Sequence, residues 1–180
     1  MRKIIESTFM TLDGVIDSPE QWGSPYWDDE HSGYAEGLMA GVDALLLGRV
    51  TYEGFAAAWP AMEESGVDGA AAMNALPKYV ASRTLKEPTW NATIIDGDVA
   101  TEVARLKEQP GGDILKYGTG ELDVTLLEHG LVDEYHLWVF PVFAGSGQRI
   151  FDGFATTHLQ LVRTTPFASG IVVHVYEPKR

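Results

Sequence analysis

Cysteine is absent from the 180 residues. This excludes disulfides, thiolate catalysis, zinc ribbons and iron–sulfur clusters. Cations are scarce: 13 Lys and Arg stand against 26 Asp and Glu, for a net charge of −13. Nucleic-acid binding needs a basic face that displaces counterions, so DNA and RNA are excluded as partners. Long apolar runs are missing as well. Glu6, Ser7 and Thr8 interrupt the one that begins at Ile4, and none approaches the roughly 18 apolar residues of a membrane span. A soluble, cytoplasmic protein with no membrane partner is the expectation. His31, His129, His136, His158 and His174 show no metal-ligand spacing, so no metal is expected.

What is present is a globular balance of 45% hydrophobic and 22% charged residues. The length fits one domain over residues 1–180 with a full-sized core. Short apolar runs alternate with amphipathic stretches, which predicts an α/β fold with a largely parallel sheet. Strands are predicted at Ile4–Met10, Asp43–Gly48, Lys78–Ser82, Thr93–Ile95, Asp113–Tyr117 and Glu134–Val142. Leu159–Thr165 and Ile171–Glu177 read as a closing antiparallel hairpin, turning near Pro166–Gly170. Helices are predicted at Asp28–Met39, Thr51–Trp59, Val99–Gln109 and Glu121–His129. The count is about eight strands and four helices. Thr11–Trp27 reads as a long polar and aromatic loop, and such loops are more often functional than idle. Residues 60–75, rich in Ala, Gly and acids, read as a flexible insertion.

Three loops share one design: Gly48-Arg49-Val50-Thr51, Ser82-Arg83-Thr84 and Gly118-Thr119-Gly120. Each follows an apolar strand, and ligands of open α/β sheets bind outside the carboxyl ends of strands. Helix N-termini offer free N–H groups to phosphate, glycines allow close backbone approach, and arginine forks onto phosphate oxygens. Together the loops form a plausible dinucleotide cradle. Each alone also fits a plain strand end or helix cap. The full Gly-x-Gly-x-x-Gly fingerprint is absent, which disfavours a generic Rossmann protein.

The order of Met10–Ile16, Leu47–Glu53, Tyr79–Thr84 and Gly112–Gly120 resembles the dihydrofolate-reductase-like superfamily. Within it the chain is most similar to the C-terminal reductase domain of the bifunctional riboflavin-biosynthesis deaminase–reductase and its stand-alone relatives. Leu126–Glu134 and Pro141–Gly147 carry the pattern of that branch. The resemblance implies a three-layer fold with a mixed, mostly parallel sheet. It implies an NADPH-dependent reductase acting on a small heterocyclic or carbonyl substrate, similar to 5-amino-6-(5-phosphoribosylamino)uracil reductase, and a homodimer. Gly48, Arg49 and Thr51 would hold cofactor phosphates. Ser82 and Arg83 would hold the adenosine 2′-phosphate. Gly118, Thr119 and Gly120 would lie against the pyrophosphate, with Leu122 near them, and Thr11–Ile16 would border the nicotinamide. The long apolar strand Tyr135–Val142 is a candidate for the dimer interface.

On the substrate side, Asp13 and Asp28 are the candidate carboxylates for orienting substrate or relaying a proton. Asp13 equally suits an Asp-Gly turn, and Asp28 a helix N-cap. Trp22, Tyr26 and Trp27 are candidates for lining a planar-substrate pocket. The segment Trp22–Asp28 is similar to the folate-reductase pattern Trp-x-x-Pro-x-Asp, one residue longer. A folate or pterin reductase and a non-catalytic nucleotide-binding or interaction protein that keeps the fold remain the alternatives.

Overall fold

The computed structural model describes residues 1–179. The chain runs β1 (Ile4–Thr11), α1 (Pro19–Trp22), a 3-10 turn (Ser24–Tyr26), α2 (Asp29–Met39), β2 (Val42–Gly48), α3 (Arg49–Glu64), α4 (Ala70–Ala75), β3 (Lys78–Ala81) and β4 (Ala92–Ile94). It continues through α5 (Val99–Glu108), β5 (Asp113–Tyr117), α6 (Glu121–Glu128), β6 (Glu134–Phe140), β7 (Leu159–Pro166) and β8 (Val172–Pro178). One eight-stranded sheet has the order β4-β3-β2-β5-β1-β6-β8-β7. The strands from β4 to β6 are parallel, and β8 and β7 close the sheet antiparallel. This is the α/β architecture with a mostly parallel sheet and a C-terminal antiparallel hairpin that the periodicity predicts.

Parallel strands are covered by helices on both faces and so read as continuous apolar runs. Ala44, Leu45, Leu46 and Leu47 of β2 are all buried. Side chains alternate across the sheet, giving two cores. One face packs Ile4, Ala44, Leu46 and Ile114 against Val103 of α5 and Leu126 of α6. The other packs Ile5, Leu45, Leu47 and Leu115 against Tyr52 of α3 and Met73 of α4, with Leu38 of α2. A third, aromatic cluster sits beside β6 and β8 around Trp138, Phe140 and Phe167, with Phe9 and Tyr34 against it. No helix among the described residues is long and apolar enough to cross a membrane.

Two expectations change, and the strand Glu134–Phe140 receives its place in the sheet. Residues 60–75 are helical for most of their length rather than a loose insertion. α3 continues through Pro60 to Glu64, and α4 follows after a turn at Gly66 and Gly69, both with positive φ. Ala70 and Met73 are buried, and Asn74 donates to the Trp59 carbonyl while accepting from Trp90 Nε1. Ala70 and Met73 are the residues that seat this segment on the fold, while its other alanines are exposed. Within Thr11–Trp27, α1 and the 3-10 turn add two short helices. Finally, β6 is an interior strand, paired with β1 and β8 and largely buried. Both backbone edges of β6 are therefore taken within the sheet. The hairpin's outer strand, β7, is the exposed one, with Leu161 and Val162 half exposed.

Leu46 is fully buried on the sheet. Leu46→Ala is expected to lower the unfolding free energy in urea by about 2–5 kcal/mol, while Leu161→Lys on the exposed strand changes it by about 0.5 kcal/mol or less.

Candidate active site at the carboxyl edge of the sheet

β3, β2 and β5 are consecutive neighbours in the sheet and run in the same direction. Their carboxyl ends are therefore side by side. Gly48 pairs with Ala81, and the Leu46–Lys116 pairing, carried two residues on, sets Gly48 level with Gly118. The three loops of shared design thus form one continuous rim. Gly118 has φ +73, and a Cβ there would come 3.0 Å from Thr51 Oγ1. This position needs glycine both for its backbone and for the contact that joins two of the loops. At Gly48 and Gly120 a Cβ would meet nothing within 4 Å, so the rim is open above them. Two helices start on this rim, α3 after Gly48 and α6 after Gly120. The first turn of α3 has no side-chain cap. Its orphan N–H groups and positive dipole end face the open rim, which suits an anion.

The predicted side chains occupy this rim in different ways. Arg49 pairs with Glu53 at 2.8 Å, one turn along α3, with both side chains almost half exposed. Such a pair is worth little and leaves the guanidinium free to turn to a ligand. Ser82 Oγ accepts from Thr84 N at 3.2 Å and Leu85 N at 2.9 Å, which folds its own loop. Its hydroxyl proton remains available to donate. Arg83 is exposed and has no ion-pair partner among the described residues. In a chain so short of cations, an unpaired arginine beside an open anion cradle is the feature that singles out this loop. The Thr119 hydroxyl donates downward to Glu6 Oε1 at 2.5 Å, so Thr119 offers a ligand its backbone. Leu122 packs into the core between the sheet and α5 and α6, where it anchors the start of α6.

Beyond β5, the rim continues over β1 and β6. Asp13 accepts from Ala144 N at 3.0 Å, Gly145 N at 2.8 Å and Thr11 Oγ1 at 2.5 Å. These hydrogen bonds, Thr11's first, hold its carboxyl down to about 2. At neutral pH it is an anion with no proton to give. The same segment is knitted further. Arg149 donates to the Asp13 carbonyl, Asp17 accepts from Gln148 N at 2.8 Å, and Val15 bridges Arg149. The loop after β1 and the loop after β6 are thus one clasped unit. Asp28 caps α2, accepting from His31 N at 2.9 Å. Trp22 and Tyr26 both meet the edge of Phe140, at 5.1 and 6.0 Å between centroids. Trp27 is 46% exposed and stacks on His31. Trp22 and Tyr26 are therefore together at the end of β6, and Trp27 stands one step away over α2.

Sequence reasoning missed several residues here. His31 lies between Phe9, Trp27 and Trp138, its Nε2 buried without a hydrogen-bond partner, and burial pulls its imidazolium below the usual range. Glu6, Lys116 and Asp123 are buried under the Gly118–Gly120 turn. A signal for the first two existed: each is a charge inside an otherwise apolar strand, Ile4-Ile5-Glu6 and Ile114-Leu115-Lys116. Charges are almost never buried unpaired, so two of them in central strands predict a partner.

Asp13→Ala is expected to strip protection from the Ala144 and Gly145 amides in hydrogen exchange. In the wild type, Asp13's carboxyl sits below its ordinary value of 3.8. Its contribution is therefore complete above about 3.8 and lost as pH falls through about 2, so the wild-type clasp persists into acid.

Residues 2–173 match the sequence profile of the RibD C-terminal domain. YyaP, an uncharacterised protein of Bacillus subtilis, is 34% identical over 180 residues, covering 97% of this chain and 94% of YyaP. YwjB, another uncharacterised protein of that organism, is 27% identical over 177 residues, covering 96% and 97% of the two chains. Among solved structures, a putative riboflavin biosynthesis protein from Shewanella sp. PV-4 superimposes with a TM-score of 0.75 at 21% identity, over 99% of both chains. A diaminohydroxyphosphoribosylaminopyrimidine deaminase/5-amino-6-(5-phosphoribosylamino)uracil reductase from Thermotoga maritima superimposes with a TM-score of 0.68 at 15% identity. That match covers 99% of this chain and 57% of the other. An eight-stranded mixed sheet with its open rim of three loops, and a sequence that matches over nearly its whole length, make this chain a member of the RibD C-terminal domain family with the dihydrofolate-reductase-like fold.

Proposed function

We propose that the protein is an NADPH-dependent reductase that delivers a hydride to a small heterocyclic or carbonyl compound. The observation that carries this reading is the rim itself. Three phosphate-compatible loops stand side by side, two helices begin there, and an unpaired arginine lies at one end. Family membership and the reductase named among the structural neighbours support the same chemistry.

The order of the strands gives the reading a direction. From β3 through β2 and β5 to β1 the rim spans three inter-strand steps, about 14 Å at roughly 4.8 Å each. Arg83 and Ser82 at the β3 end would take the 2′-phosphate. Gly48, Arg49 and Thr51, with Gly118, Thr119 and Gly120, would take the pyrophosphate through backbone N–H groups and the Arg49 fork. The clasped loop around Asp13 would border the nicotinamide. When bound, the nicotinamide supplies the hydride. The residues of this chain bind, align and exclude water, which is where most of the protein's contribution to such a reaction lies. The substrate would lie beyond β1, against Trp22, Tyr26 and Trp27. Asp13 would act there as a fixed anion that holds the rim and orients substrate. Asp28 would hold the start of α2.

Two further elements belong to the proposal. The protein works in the cytoplasm on a small-molecule substrate. It is a homodimer, with β7 as the contact because its edge and its Leu161 and Val162 are exposed.

Fluorescence titration tests the cofactor reading. NADPH is expected to bind at sub-millimolar concentration and more tightly than NADH. Arg83→Ala removes one charge-assisted phosphate contact and is expected to weaken NADPH about 10- to 100-fold, with NADH little changed. Absence of binding by either nucleotide defeats the reading. Equal losses for both defeat the 2′-phosphate assignment alone.

A further inference from the structure

Beneath the Gly118–Gly120 turn lies a set of charged side chains that cofactor contact does not use. Glu6 on β1 is the register partner of Lys116 on β5, and both face α5 and α6. Glu6, Lys116 and Asp123 of α6 are all at most 2% exposed. Buried charges persist only where they balance and each polar atom finds a partner.

Each of the three side chains reaches a different residue of the turn. Lys116 Nζ donates to the Gly118 carbonyl. Glu6 Oε1 accepts from the Thr119 hydroxyl at 2.5 Å, and from Thr8 at 3.0 Å. Asp123 Oδ2 accepts from Gly120 N at 2.7 Å. Lys116 also lies 2.6 Å from Asp123 Oδ1. Glu6 Oε2 is buried without a hydrogen-bond partner among the described residues, and Asp123 Oδ1 has the Lys116 ammonium beside it but no well-aligned donor. One lysine also cannot neutralise two carboxylates. A single proton on Glu6 Oε2, donated to Asp123, settles both problems: it supplies the missing donor and brings the three side chains to zero net charge.

We propose that Glu6, Lys116 and Asp123 form a triad holding one proton that positions the Gly118–Gly120 turn, with neutral Glu6 donating to Asp123 and accepting from Thr119. Its effect on cofactor affinity rests on the reading of that turn as a pyrophosphate cradle; its effect on the turn does not. Burial, and then Asp123, push the Glu6 carboxyl up to about 8 against the pull of Lys116. The other titratable group facing the triad is Tyr135 of β6, the register neighbour of Glu6. Burial pushes its hydroxyl upward, so it stays neutral. The sign follows. Glu6 is raised from its ordinary 4.5, so its contribution is complete below about 4.5 and is lost as pH rises through about 8. Above that, a second negative charge sits under the turn, loosening it and opposing a phosphate.

Glu6→Gln tests this directly. The amide reproduces the pattern without a titrating proton: its oxygen accepts from Thr8 and Thr119, and its NH2 donates to Asp123. Glu6→Leu removes both. Hydrogen exchange at the Gly120 amide, corrected for intrinsic rate, and NADPH titration are followed from about pH 6 to about pH 9.5. Wild-type protection is expected to fall above about pH 8 by up to about tenfold per pH unit. The NADPH Kd rises in step. Glu6→Gln keeps both flat, and Glu6→Leu loses protection at every pH. If Glu6→Leu does not fold, the glutamine comparison decides alone. Loss of protection in Glu6→Gln near pH 6 would show an ionised Glu6 paired with Lys116 and overturn the triad. So would wild-type protection that is independent of pH to about 9.5. Exchange that follows pH while the Kd does not would overturn the link to affinity. A wild type that binds no NADPH defeats the cofactor reading, and the exchange result still decides the triad.

Discussion

Insertion of β5 between β2 and β1 is the constraint on which the rest of the molecule depends. The chain builds β2, β3 and β4 outward on one side of β1, then returns through α5 and lays β5 into the gap. That return puts the direction reversal of the sheet beside β1, where open α/β sheets form their ligand crevice. It sets the Gly118 turn between the Gly48 loop and the Asp13 loop. It also brings Lys116 alongside Glu6, two charges 110 positions apart in the sequence.

The same insertion explains why a parallel sheet with apolar faces holds a charged triad. A rim of backbone amides stays open to an anion only if something beneath holds it in shape. An apolar floor would pack the turn but would not choose its orientation. Glu6, Lys116 and Asp123 contact three successive residues of the turn through directional bonds. Buried polar networks of this kind fix geometry when every member is satisfied and are costly when one is not. The triad therefore ties the precision of the rim to one proton.

At the other end the rim is made by loops rather than strand ends. Asp13 binds the segment after β6 through two backbone amides, and Asp17 adds a third. Gly147 belongs to this clasp, with φ +130 and a Cβ that would come 2.4 Å from Asp17 Oδ1. The aromatic side chains of α1 and the 3-10 turn lean on Phe140 just beyond. The rim thus grades from polar backbone and cations over β3 and β2 to aromatic surface over β6.

Most elements were legible in the sequence because their signals are local. Ala44–Leu47 is a buried run, Asp28 caps a helix, and Gly130 ends one. The glycines and arginines of the three loops likewise stand next to the strands that carry them. Residues 60–75 were misread because Ala and Gly are shared by flexible and closely packed segments, and only Met73 and Ala70 buried against the sheet distinguish them. The interior place of β6 was not legible because strand order does not show in a strand's own composition. The roles of Asp13 and Glu6 lie in hydrogen bonds to residues more than 100 positions away. The sequence by itself determined the fold class, the absence of thiol chemistry and the composition of the three loops proposed to hold a ligand, since these follow from residue type and short-range pattern. Only the tertiary structure decided which loops are neighbours, which strand is exposed and which charges are buried together, because register between distant strands is set by pairing that no local window contains.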